Sequence, residues 1–258
     1  MSTSATQGIG ERRVSRPKDE AIPDFRTVQQ GTLYLVSTPI GNLEDISFRA
    51  VKVLSHVDLI AAEDTRTTRI LLERYKIRTH MISYFSRNEV KRVPYLIDRL
   101  EHGDSVAVVT EAGTPGILDP AFRIVRAAIN RGIPLVAVPG PTAFLSAFVV
   151  SGFGNDAFAF EGFLPHKKGR VKSLERLKNE NKPIILYESP HRVLRTLRDL
   201  HHHLGDRRIV IAREITKKFE ELLRGRISEV HSILSARSIR GEFVLVVEGK
   251  PTPAGRGR

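Results

Sequence analysis

Three short stretches combine glycine and proline in a way that suits ligand contact. They are SerThrProIleGly at 37–41, ThrGluAlaGlyThrProGly at 110–116 and ProGlyProThrAla at 139–143. Each follows an apolar run. Glycine lets a ligand come close to the backbone, and proline fixes the turn in advance. None of the three has the Gly-x-Gly-x-x-Gly of a dinucleotide loop or the Gly-Lys-Ser/Thr of a triphosphate loop. None offers a cluster of basic side chains either. A ligand held by backbone groups, with an adenine, a ribose and a zwitterionic tail, would fit. The plainer alternative is that these loops only turn strands into helices.

A second kind of chemistry is carried by Lys167, Lys168, Arg170 and Lys172. Such a run suits a sugar-phosphate backbone, with contacts that are salt-sensitive and blind to sequence. It also suits an ordinary solvated helix start. His191 lies at a strand-to-helix turn, where it caps the helix or meets a ligand. His201, His202 and His203 do not make a metal site, because consecutive residues on a helix face different directions. With no cysteine in the chain there is no thiolate, disulfide or cysteine zinc site. No metal is expected.

The 258 residues give room for one large or two medium domains. The chain carries 41 Lys and Arg against 29 Asp and Glu, a net charge of +12. Residues 31–140 hold 14 basic and 12 acidic side chains, and residues 141–250 hold 20 and 13. The excess is therefore in the second half, which points to a polyanion partner, nucleic acid above all. The longest apolar runs, such as 144–150, are far too short for a bilayer. Residues 1–30 show no secretory leader, and a cytoplasmic location is expected.

The elements that would position these residues alternate. Strands are expected at 33–37, 57–62, 80–84, 105–110 and 133–138. Helical patterns lie at 44–56, with Asn42 as N-cap, then at 65–75, 88–102 and 120–131. Pro94 weakens the third of these. Punctuation is densest at 139–141, where a domain boundary is placed. Further strands are expected at 158–163, 183–188, 208–213 and 243–248, and helices at 171–179, 190–204 and 226–235. The chain thus reads as a tail (1–30), an α/β domain (31–140), a basic α/β domain (141–250) and a second tail (251–258). In an open parallel sheet the strand C-termini share one edge, so the three loops can converge there.

Eight motifs stand in a recognisable order and spacing. They are ThrProIleGlyAsnLeuGluAspIle (38–46), AlaAlaGluAspThrArg (61–66), AlaGlyThrProGly (112–116), ProGlyProThrAla (139–143), GluGlyPheLeuPro (161–165), TyrGluSerProHisArg (187–192), AlaArgGluIleThrLys (212–217) and GlyGluPheValLeuValValGluGly (241–249). Over about residues 31–250 the chain resembles the family of ribosomal RNA small subunit methyltransferases I, of the tetrapyrrole-methylase fold.

The resemblance implies two α/β domains with S-adenosylmethionine bent in the cleft between them. It implies methyl transfer to the ribose 2′-oxygen of a cytidine in 16S rRNA, and a homodimer. By analogy Thr38, Pro39, Gly41, Glu111, Gly113, Thr114, Pro115, Thr142 and Ala143 line the cofactor from the first domain. Phe163, Leu164, Arg213 and Glu214 approach it from the second. A ribose hydroxyl is a poor acid, so a base or a cation beside the developing alkoxide is needed. Arg66 and Lys217 are the candidate cations, and Asp64 and Glu214 the candidate orienting groups or bases. Asp64 also reads as a helix N-cap, and Arg213-Glu214 as an inter-domain ion pair.

The chain departs from the family in places. Glu111 stands where an Asp is usual, the stretch Tyr84–Glu89 has no His, and Leu118-Asp119-Pro120-Ala121 replaces a Ser-Asp-Pro-Gly. A further C-terminal helical segment of many relatives is not seen. Two other readings therefore stay open: a tetrapyrrole C-methyltransferase, and a non-catalytic RNA-binding or assembly factor.

Overall fold

The structure, a computed structural model, describes residues 28–154 and 156–250. The two expected tails lie outside these residues, apart from 28–30. Five parallel strands form the first sheet: β1 (Leu33–Val36), β2 (Leu59–Ala62), β3 (Met81–Ser83), β4 (Val106–Val109) and β5 (Leu135–Val138). Their order is β3-β2-β4-β1-β5. Each of β2 and β4 is buried along its whole length, as strands covered on both faces must be. Helices α1 (Phe48–His56) and α2 (Thr65–Arg74) pack on one face through Val53, Leu54, Leu71 and Leu72. Helices α3 (Glu89–Glu101) and α4 (Phe122–Asn130) cover the other through Leu96, Leu100, Ile124 and Ala128.

Two details differ from the sequence expectation. Asn42 caps a short 3-10 turn, Leu43–Asp45, and α1 begins only after Ser47, whose hydroxyl accepts from the Ala50 N–H at 3.1 Å. Helix α3 runs unbroken through Pro94, which lies in its second turn.

The second sheet is mixed, with order β6-β7-β10-β8-β9. Its strands are β6 (Ala159–Phe163), β7 (Ile184–Glu188), β8 (Arg208–Arg213), β9 (Glu221–Arg226) and β10 (Phe243–Val247). Only β6 and β7 run parallel, and β10 sits between β7 and β8, antiparallel to both. Helices α6 (Arg170–Leu177), α7 (Val193–Leu204) and α8 (Ile227–Ser235) bury their apolar stripes on one face. The other face takes α5 (Ala143–Ser151) through Ala147 and Phe148. Neither α5 nor β9 was expected from the sequence. Among the described residues no helix is long and apolar enough to cross a membrane.

Candidate active site

The three Gly/Pro loops do converge at the C-terminal edge of the first sheet. Thr38 and Gly113 exchange backbone hydrogen bonds at 2.9 and 3.0 Å. Gly113 has φ +92°, a conformation that a side chain would strain. Thr114 Oγ1 lies 2.9 Å from Ser37 Oγ and 2.9 Å from Thr142 Oγ1, so one hydroxyl ties all three loops together. Thr38 Oγ1 donates to the Thr110 carbonyl at 3.2 Å. Thr38, Pro39 and Pro115 are buried, Thr142 and Ala143 half-buried, and the Glu111–Ala112 tip is exposed.

Acidic side chains gather beside these loops. Glu63 accepts from the Thr110 hydroxyl at 2.5 Å and from the Glu111 N–H at 3.1 Å. Asp119 is held above the ordinary carboxylate range. Burial is the main cause, and the Glu63 and Glu111 charges add to it against an opposing Thr110 hydroxyl. Asp64 is the N-cap of α2: its Oδ1 accepts from the Arg66 N–H at 2.8 Å and the Thr67 N–H at 3.4 Å. Its Oδ2 meets Arg66 Nη2 at 2.6 Å. These Arg66 bonds hold the Asp64 carboxyl well below its usual range.

The second domain meets this edge with the end of β6. A register shift between Phe160 and Gly162 re-aims the strand end, and Phe163 is left 54% exposed. A Cβ on Gly162 would lie 2.9 Å from the methyls of Leu118, itself exposed. The Tyr187 ring lies tilted against Phe163, 5.7 Å between centroids, and its hydroxyl oxygen accepts from the Phe144 N–H at 3.2 Å. Leu164 corrects the expectation: its side chain is 2% exposed in the core beneath the second sheet, and its carbonyl accepts from Arg192 Nη2 at 2.6 Å.

Arg213, Glu214 and Lys217 do not form an inter-domain ion pair. Arg213 Nε donates to the Arg240 carbonyl at 2.6 Å and Nη1 reaches Glu221 at 3.4 Å, all within the second domain. Lys217 Nζ lies 3.2 Å from Glu214 and 2.9 Å from Glu242. Partial burial opposes the Lys217 charge, but Glu242 and then Glu214 outweigh it and raise its pKa. Burial likewise opposes ionisation of Glu214, but the Glu242 N–H and then Lys217 outweigh it and lower its pKa. Glu214 and Thr216 hold φ values of +51° and +64°, strained for residues with a side chain. Thr216 Oγ1 is buried with no hydrogen-bond partner among the described residues.

Of the basic run, Lys167, Lys168 and Lys172 are exposed. Arg170 is a correction. Its side chain is 4% exposed and is consumed by Asp199 at 2.7 Å, Thr196 Oγ1 at 2.9 Å and the Pro165 carbonyl at 3.2 Å. In the histidine tract His203 meets Glu175 at 2.7 Å, His201 lies 3.8 Å from Asp206, and the His202 and His203 rings meet edge-on at 4.9 Å. Glu63 lies in the acidic stretch 63–66 that the sequence pointed to, whereas Asp119, Tyr187 and Thr216 lie beside these loops and strand ends but were not among the sequence candidates.

Two α/β units that face each other across loops of this kind define a class of methyltransferase. The profile of the Tetrapyrrole (Corrin/Porphyrin) Methylases matches residues 32–231, and the chain belongs to that family. It is 47% identical over 220 residues to the ribosomal RNA small subunit methyltransferase I of Thermotoga maritima, covering 85% of this chain and 99% of that one. The Bacillus subtilis protein of the same name is 48% identical over 220 residues, 85% of this chain and 75% of its own. The uroporphyrin-III C-methyl transferase from Thermus thermophilus, complexed with S-adenyl homocysteine, shares the fold at a TM-score of 0.61 and 16% identity. That match covers 84% of this chain and 97% of the other.

S-adenosylmethionine fits the residues present. Leu118, just after the second loop, and Phe163, at the end of β6, leave apolar surface exposed, suited to a flat base. The Glu63 and Glu111 charges oppose ionisation of Asp119, and a sulfonium cation with an ammonium group would offset that negative charge.

Proposed function

We propose that the chain transfers a methyl group from S-adenosylmethionine to the ribose 2′-oxygen of a cytidine in 16S rRNA of the small ribosomal subunit. The observation that carries this reading is the 47% identity over nearly the full length of a relative with that rRNA methyltransferase name. The surplus of 20 basic over 13 acidic side chains in residues 141–250 supports an RNA substrate over an acidic macrocycle.

When bound, S-adenosylmethionine supplies an already activated methyl group, so the protein chiefly orients the acceptor and handles its proton. Lys217, held charged by Glu214 and Glu242, is a fixed cation for the developing alkoxide. Asp64 and Glu214 are both held below the carboxylate range, which suits them to orient Arg66 and Lys217 and makes them poor bases. Asp119, pushed up by burial and its acidic neighbours, is the better acceptor for the hydroxyl proton. The methyl donor is received by the loops of Thr38, Gly113 and Thr142 from one side and by Phe163 from the other. A cytoplasmic homodimer belongs to the same reading. The exposed apolar side chains Leu145, Val149 and Val150 of α5 support self-association.

The test is methyl transfer from labelled S-adenosylmethionine to small ribosomal subunits lacking the modification. Label recovered in one alkali-resistant dinucleotide supports ribose methylation. Label on a base, on a tetrapyrrole but not RNA, or on neither, overturns it. Calorimetric titration with S-adenosylmethionine, repeated on Glu111→Asp, separates a lost donor site from a wrong acceptor.

A further inference from the structure

The basic run that follows β6 is split by the fold. Arg170 turns inward, while Lys167 and Lys168 stay in solvent at the turn before α6. That turn is fastened to the start of α7. Arg192 Nη1 lies 3.0 Å from His166 Nε2, and Arg192 Nη2 donates to the Leu164 carbonyl at 2.6 Å. Further along, Arg170 and Arg195 approach the same Asp199 oxygen, at 2.7 and 3.8 Å. The one acidic side chain of α7 is thereby shared between two guanidinium groups, and the inner one takes the shorter contact.

The solvent face of α7 is left strongly basic. Arg195, Arg198 and His202 are exposed and follow one another at i, i+3 and i+7, about 10 Å of helix. Arg198 has no acidic partner among the described residues, and the Arg195 side chain is 56% exposed. His191 is exposed just before the helix begins. Because β6 and β7 run parallel, Phe163 and Glu188 end at the same edge, so this helix starts close to the edge that carries Phe163.

We propose that Lys167, Lys168, His191, Arg195 and Arg198 form one phosphate-binding track that leads the RNA strand over α7 to the cleft. The proposal rests on the RNA reading given above and says where the RNA lies. The buried ion network of Glu188, Thr196, Arg170 and Asp199 holds the track rigid: Thr196 Oγ1 donates to Glu188 at 2.6 Å and accepts from Arg170 at 2.9 Å. Such contacts place the strand without reading its sequence.

The experiment compares wild type, Arg195→Glu/Arg198→Glu and a control of equal charge change on the first domain, Arg49→Glu/Arg74→Glu. Binding to 16S rRNA is followed as a function of salt, beside calorimetric titration with S-adenosylmethionine. The track variant is expected to lose at least about tenfold in RNA affinity, with a salt slope smaller by about 1.5. Its affinity for the methyl donor is expected to stay unchanged, and the control is expected to bind RNA within about threefold of wild type. Equal loss in both variants reduces the effect to overall charge and overturns the track. No loss in either also overturns it. Failure of the wild type itself to bind rRNA instead overturns the RNA reading, and the track with it.

Discussion

Gly41 and Lys217 meet across the cleft with no room for a side chain on residue 41. A Cβ there would overlap Lys217 Cγ and come within 3.1 Å of Thr216 Oγ1. The backbone of Gly41 is not in the left-handed region, so the glycine is required by proximity and not by conformation. Residue 41 thus seats the lysine stem while Glu214 and Glu242 hold its ammonium group.

The seat can be tested by a double-mutant cycle. Gly41→Ala should weaken S-adenosylmethionine binding by about tenfold, as overpacking at a tight contact costs on the order of 1–3 kcal/mol. In a Lys217→Ala background, where Cγ is gone, the same change should cost less than about twofold. An equal loss in both backgrounds would assign Gly41 to the donor pocket wall.

Asp119 sets a pH dependence of stability. Its folded-state pKa lies above the ordinary 3.8, so between that value and the folded one the native state holds a proton that the unfolded chain has released. Stability contributed by that proton is present near and below pH 4 and lost as pH rises through the folded value. Asp119→Asn should therefore melt higher than wild type at pH 8 and match it near pH 3.5. Methyl transfer should fall in the same variant. A lower melting temperature at pH 8 would remove the buried-carboxylate argument.

Thr196 bridges two buried charges, Glu188 and Arg170. Thr196→Val keeps the shape and removes both hydrogen bonds. Leaving charged partners short of a bond should cost about 2–3 kcal/mol in urea unfolding. A change below about 0.5 kcal/mol would show that the network rearranges freely.

Asp64 separates a cap from a charge. Asp64→Asn keeps an oxygen for the Arg66 and Thr67 N–H groups and should lower the melting temperature less than Asp64→Ala, which loses the cap as well as the Arg66 pairing. If Asn melts as low as Ala, the carboxylate charge and not the cap carries the effect.

Apolar runs and helical periods announced most of the fold. Buried strands such as Val106–Val109 and Phe243–Val247 are continuous hydrophobic runs, and α1 and α7 have clear stripes. Helix α5 escaped because AFLSAFVVS is apolar all round and shows no period. Strand β9 escaped because ELLRGR is a half-exposed edge strand, with charges where alternation would be sought. Arg170 did carry a signal. It stands at i, i+4 and i+7 with Leu174 and Leu177, the buried face of α6. The partnerships of Gly41 with Lys217 and of Glu63 with Thr110 left no trace in sequence. Such contacts depend on how separate chain segments dock, which no local pattern encodes.

The position of β10 has a consequence for the order of events during synthesis. The first sheet has all its strands once residue 138 has emerged, but β7 and β8 each wait for β10 as a neighbour. Until Val247 is free, two strands of the second sheet present bare edges to other nascent chains. The basic helix α7 therefore packs on the sheet that is completed last. That sheet closes only once Phe243–Val247 is available, after the first sheet is already in place.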